Sequence, residues 1–82
     1  MKKWYRINIE WSNGWSNSSP AGKELDEAIY LFQCESIENK EDLSKGLIYK
    51  MNLTEYKITN GGSIADVKKV IKWKKKQDKG LV

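Results

Sequence analysis

The stretch LIYKMNLTEYKITNGGSIADVKKVIKW, residues 47–73, decides the fold, because it holds the clearest strand of the chain, a strong turn signal and one element that two templates fit. Leu47, Tyr49, Met51 and Leu53 alternate with Ile48, Lys50 and Asn52, the period-2 pattern of a half-buried strand. The strand is expected to run on, bent, to Thr59. Asn60-Gly61-Gly62 then supplies residues that tolerate positive φ, as a tight hairpin requires. The element after it reads as a helix if Ser63 to Asp66 is a capping box and Ile64, Val67 and Ile71 form a narrow stripe. It reads as a strand if Ala65, Val67, Ile71 and Trp73 share a face, with Lys69 as the misfit. The β-branched Val67, Val70 and Ile71 and the hairpin turn just before them favour the strand.

Toward the N-terminus, Tyr5, Ile7, Ile9 and Trp11 alternate with Trp4, Arg6, Asn8 and Glu10, which gives a second half-buried strand over residues 4–11. Asn13-Gly14 marks a hairpin, with a short polar return strand over residues 15–18. Ser19-Pro20 has the form of an N-cap followed by proline at the first helical position. Leu25, Ala28, Ile29 and Phe32 then lie on one helical face, Glu24, Asp26 and Glu27 favour the positive end of the helix dipole, and Gly22 weakens the first turn. An alternation of Tyr30, Phe32 and Cys34 keeps a strand open as the other reading there. Residues 38–46 read as a polar connection with Gly46 turning the chain into the next element. The architecture expected is α+β, ββαββ: an antiparallel sheet of three to four strands with one helix packed on one face. The alternatives are βαββα and all-β. Residues 1–76 are expected to form a single domain and residues 77–82 a polar tail.

Composition narrows the chemistry. With 82 residues the chain has room for one domain and one thin core, which leaves little to shape a deep cleft. There is no His, which removes the commonest general base and metal ligand near neutral pH. The single thiol, Cys34, forms neither an internal disulfide nor a four-cysteine metal site, and it sits in an apolar run with no cation to activate it. No dinucleotide or P-loop glycine pattern occurs, and Gly61-Gly62-Ser63 reads as a turn and not as a phosphate cradle. The expectation is a non-enzyme with no cofactor and no metal. Lys2, Lys3 and Arg6 are followed by alternating residues instead of an unbroken apolar run, so neither a leader nor a membrane span is expected, and a cytoplasmic location goes with that.

Charge is segregated along the chain. The formal net charge is +4, yet residues 1–23 carry +3, residues 24–42 carry −6 and residues 43–82 carry +7. An acidic helix and a basic last strand would give a molecule with opposite charge on different surfaces. The acidic set reads best as a solvated helix face, since nothing apolar surrounds it to raise a carboxyl pKa.

Two surfaces are candidates for function. Trp4 projects from the strand face opposite Tyr5, Ile7 and Ile9, and Trp15 follows a turn. A patch of Trp4, Trp15 and Tyr56 is therefore expected to bind a protein partner or a second copy of the chain, because Trp is enriched at binding hot spots. A sheet this small also has use for aromatics on both faces to bury enough area, and the sequence leaves both readings open. The second surface is the cluster Lys68, Lys69, Lys72, Lys74, Lys75 and Lys76 around Trp73, continued by Lys79. Lysines spaced along a backbone neutralise phosphates and an exposed indole stacks on a base, so sequence-tolerant binding of nucleic acid is the alternative function. With 14 Lys to one Arg, specific reading of a duplex is not expected. The bland reading of the cluster is an edge strand kept soluble by lysines, with Trp73 capping the core.

Overall fold

A computed structural model describes residues 2–74. The elements in chain order are β1 (Lys2–Trp11), β2 (Ser16–Pro20), α1 (Leu25–Glu38), α2 (Lys40–Ser44), β3 (Ile48–Ile58) and β4 (Ile64–Lys74). They form a four-stranded sheet in the order β2-β1-β3-β4, every pair antiparallel, with α1 against one face of the central strands β1 and β3. The α+β sheet with a helix on one face is as expected, and the last element is the strand. Lys75, Lys76 and the expected tail over residues 77–82 lie outside the described residues.

Alternation places Tyr5, Ile7 and Ile9 of β1 and Met51 and Leu53 of β3 under the helix, where all five are buried. Ala28 and Phe32 of α1 close over them, together with Ala21 and Ile48, and Trp11, Ile29, Leu31, Leu43, Val70 and Ile71 pack around the margin. Tyr5 reaches through this core to donate its hydroxyl to Glu55 Oε2 at 2.7 Å, which gives a buried carboxylate its partner. Burial, the hydrogen bond to Glu55 and the negative charges of Glu55 and Glu24 push the Tyr5 phenol up to about 12, so it stays a neutral donor through the physiological range.

Four local expectations are corrected. Pro20 ends β2 and does not begin the helix; the chain runs on beside β1, with Ala21 N–H donating to the Tyr5 carbonyl at 2.8 Å and Tyr5 N–H to the Gly22 carbonyl at 2.9 Å. Gly22 then leaves the sheet at φ 86°, where a Cβ would also meet the Glu27 carboxyl carbon at 3.3 Å, so this glycine turns the chain ahead of α1 instead of weakening its first turn. Glu24 is the N-cap, without a side-chain capping bond. Within the connection over residues 38–46 lies α2, closed by Gly46 at φ 73°, with the Leu47 amide donating to Asp42 and the Gly46 amide to Leu43. That pair of bonds is the Schellman arrangement, which satisfies the carbonyls a helix end leaves free.

Two further corrections come from β-bulges, each of which adds one residue and reverses the inside-outside phase of a strand. Glu10 pairs with Lys50 but Trp11 pairs with Ile48, so Tyr49 is extra; Ile48 is fully buried, and Leu47 and Tyr49 are not core residues. Leu53 pairs with Ile71 but Thr54 pairs with Lys69, so Val70 is extra. Ile71 and Trp73 are therefore on the helix side while Val67 and Lys69 are on the other, and the expected shared face of Ala65, Val67, Ile71 and Trp73 does not form.

Candidate functional site: the open face of the sheet

The face away from α1 has no element over it among the described residues, and the register lays out its side chains in rows across the strands. From one end these are Lys2, Ile58 and Ile64; then Trp4, Tyr56 and Val67; then Arg6, Thr54 and Lys69; then Asn8, Asn52 and Lys72; and finally Glu10, Lys50 and Lys74. Strand β2 extends the last three rows with Pro20, Ser18 and Ser16. Successive rows stand about 6.8 Å apart and neighbouring strands about 4.8 Å, so the whole face is a continuous surface and not a set of isolated side chains.

Among the described residues six cations, Lys2, Arg6, Lys50, Lys69, Lys72 and Lys74, stand here against one carboxylate, Glu10. The seven acids of residues 24–42 belong instead to α1, α2 and the N-cap of α1, on the other side of the sheet. The segregation of charge along the sequence has thus become a segregation in space. At one end of the face the cations surround an apolar floor: a groove lined by Trp4, Arg6, Tyr56, Ile58 and Ile64, with Trp4 40% exposed and Ile64 61%. Trp4 also borders a cleft that carries Lys2, Lys3 and Lys23.

Arg6 is the best-held of the cations. Its Nε donates to Ser18 Oγ at 2.7 Å and its guanidinium to the Ser18 carbonyl at 3.3 Å, which fixes the planar head beside the groove and leaves further N–H donors for a ligand. Behind it Asn8 Nδ2 donates to Thr54 Oγ1 at 2.9 Å; Thr54 is buried although it faces outward, since it is a short side chain between Arg6 and Lys69. At the far end Lys50 and Lys74 each hold their ammonium 5.4 Å from the centre of the Tyr49 ring, a cation–π arrangement that keeps both charges at that edge.

The structure joins some of the sequence candidates and separates others. Trp4 and Tyr56 are direct cross-strand partners. Trp15 is 75% exposed but stands across from Trp11, at the other end of β1, so it is not part of one patch with them. Lys69, Lys72 and Lys74 share the open face, whereas Lys68, opposite Glu55, and Trp73, opposite Met51, are on the helix side. Trp73 is thus separated from the lysines with which it was grouped, and the aromatic floor among the cations comes from Trp4 and Tyr56. Sequence reasoning missed Lys2, Arg6 and Lys50 as members of the site. The signal was present, since each shares strand parity with Trp4 or Tyr56.

Among the described residues no three His, Cys, Asp or Glu side chains gather to hold a metal ion, and no helix is long and apolar enough to cross a membrane. Cys34 is half-buried on α1. Comparison with family models, with curated proteins and with solved structures finds no match.

Proposed function

We propose that the protein is a non-catalytic binding module whose open sheet face takes nucleic acid by its phosphate backbone, with little dependence on sequence. The observation that carries this reading is the collection, among the described residues, of six cations and one carboxylate on a face that no described element covers, with the acidic residues of α1 and α2 on the opposite side. A polyanion laid across the rows would pair its phosphates with Lys69, Lys72, Lys74 and Arg6 and release its condensed counterions to solution, and the acidic helices would orient it toward this face. Five of the six cations are Lys, point charges that neutralise phosphate without demanding the planar geometry of a base edge.

The test is a titration of nuclease-treated protein into labelled DNA and RNA strands over a range of salt. The logarithm of the affinity is expected to fall linearly with the logarithm of salt, and the triple variant Lys69→Glu, Lys72→Glu, Lys74→Glu to lose binding at physiological salt. Removing three phosphate contacts should flatten the salt slope by about 2 on a single strand. Equal binding by the triple variant, or none by the wild type at low salt, rejects the proposal.

A second reading has its own observation. Ile64 and Val67, 61% and 53% exposed, adjoin Trp4 and Tyr56 in one apolar corner, which suits a protein partner or a second copy of the chain. It calls for a concentration-dependent mass that Trp4→Lys abolishes, and a monomer at all concentrations removes the homodimer.

A further inference from the structure

The groove lined by Trp4, Arg6, Tyr56, Ile58 and Ile64 differs from the rest of the open face. Elsewhere the face offers ammonium groups, amides and hydroxyls, which suit a phosphate chain but have nothing for a flat apolar surface. In the groove a half-exposed indole and a phenol stand side by side on adjacent strands, with two isoleucines as wall and floor. Cations bracket it on both sides: Arg6, pinned by Ser18, and Lys69 in the next row, and Lys2, Lys3 and Lys23 around the adjoining cleft.

Resting on the reading of the open face as a nucleic-acid surface, we infer that this groove holds an unpaired base, stacked on Trp4 and Tyr56, while the flanking cations take the phosphates on either side of it. The occupant is a single strand. In a duplex the bases are already stacked on one another and their flat faces are closed to the indole, so a duplex offers only phosphates to this surface. Every base has a π-face, so the groove adds single-strand preference without adding sequence preference. Charge complementarity selects this occupant over a neutral apolar peptide, because the cations on both sides of the groove would then be left without partners.

The experiment compares three labelled probes with the wild-type chain at one salt concentration: a short oligothymidylate, an abasic strand of the same length, and a duplex of the same length. The oligothymidylate is expected to bind about 5- to 150-fold more tightly than the abasic strand, the range that stacking of one base supplies. Trp4→Ala should shrink that difference and the double variant Trp4→Ala, Tyr56→Ala should bring the two strands to equal affinity, both leaving the salt slope unchanged, and Trp4→Phe should retain more of the difference than Trp4→Ala. Equal affinity of the wild type for the oligothymidylate and the abasic strand overturns the stacking inference and leaves the phosphate-binding reading intact. Failure of all three probes to bind at low salt overturns both. The wild-type comparison of the two strands decides the matter even if Trp4→Ala does not fold.

Discussion

The two faces of the sheet are built from alternate residues of the same strands, yet one is sealed by a helix and the other is open among the described residues. On the sealed face two central rows are Ile7, Leu53 and Ile71, and Ile9, Met51 and Trp73, so α1 can bring Ala28 and Phe32 onto a continuous apolar surface. On the open face the matching positions are Arg6, Thr54 and Lys69, and Asn8, Asn52 and Lys72. An apolar helix laid there would bury charges without partners, at a cost of several kcal/mol for each ion. The difference shows that the choice of covered face is made by the strands and not by the helix, and that the uncovered face suits water or a charged ligand.

The contrast is broken most forcefully from the sealed side. Leu53→Ala leaves a cavity under α1 and is expected to cost about 3 kcal/mol, read as a lowered urea midpoint with an unchanged slope. Tyr5→Phe is expected to cost about 1–3 kcal/mol, because the buried Glu55 carboxylate loses its donor. That loss has a pH signature. The folded phenol titrates at about 12 against 10.0 unperturbed, so its contribution is fully present below about pH 10 and disappears as pH rises through about 12. The gap between wild type and Tyr5→Phe should therefore close over that window. The smallest effect belongs to the open side: Lys72→Ala should shift stability by no more than about 0.5 kcal/mol, since an exposed cation with no salt bridge among the described residues does little for the fold. A large destabilisation by Lys72→Ala would mean that the open face is structural.

The strands were legible because their alternation is strong, and the turns because Asn13-Gly14 and Asn60-Gly61-Gly62 carry the residues such turns need. The phase of the strands was not, and the reason is local. Each bulge that moved core residues falls where two apolar residues adjoin, Ile48-Tyr49 and Val70-Ile71, so hydrophobicity does not mark which of the two is extra. The helix start was misread because Ser19-Pro20 suits an edge strand as well as an N-terminus; Pro20 lacks an amide hydrogen, which costs nothing on an edge. In the site, parity alone pairs Trp4 with Arg6 and separates Trp73 from Lys72 and Lys74. It does not tell that Lys69 joins Lys72 while Lys68 turns away, because that depends on the bulge at Val70.

The most direct test of the open face as the working surface is a map of amide and indole resonances in labelled protein as an oligothymidylate is added at low salt. Shifts are expected at Trp4, Arg6, Tyr56, Lys69 and Lys72, spread over three strands and confined to one face, with α1 unmoved. Shifts centred on α1, or none at saturating strand, would contradict the account.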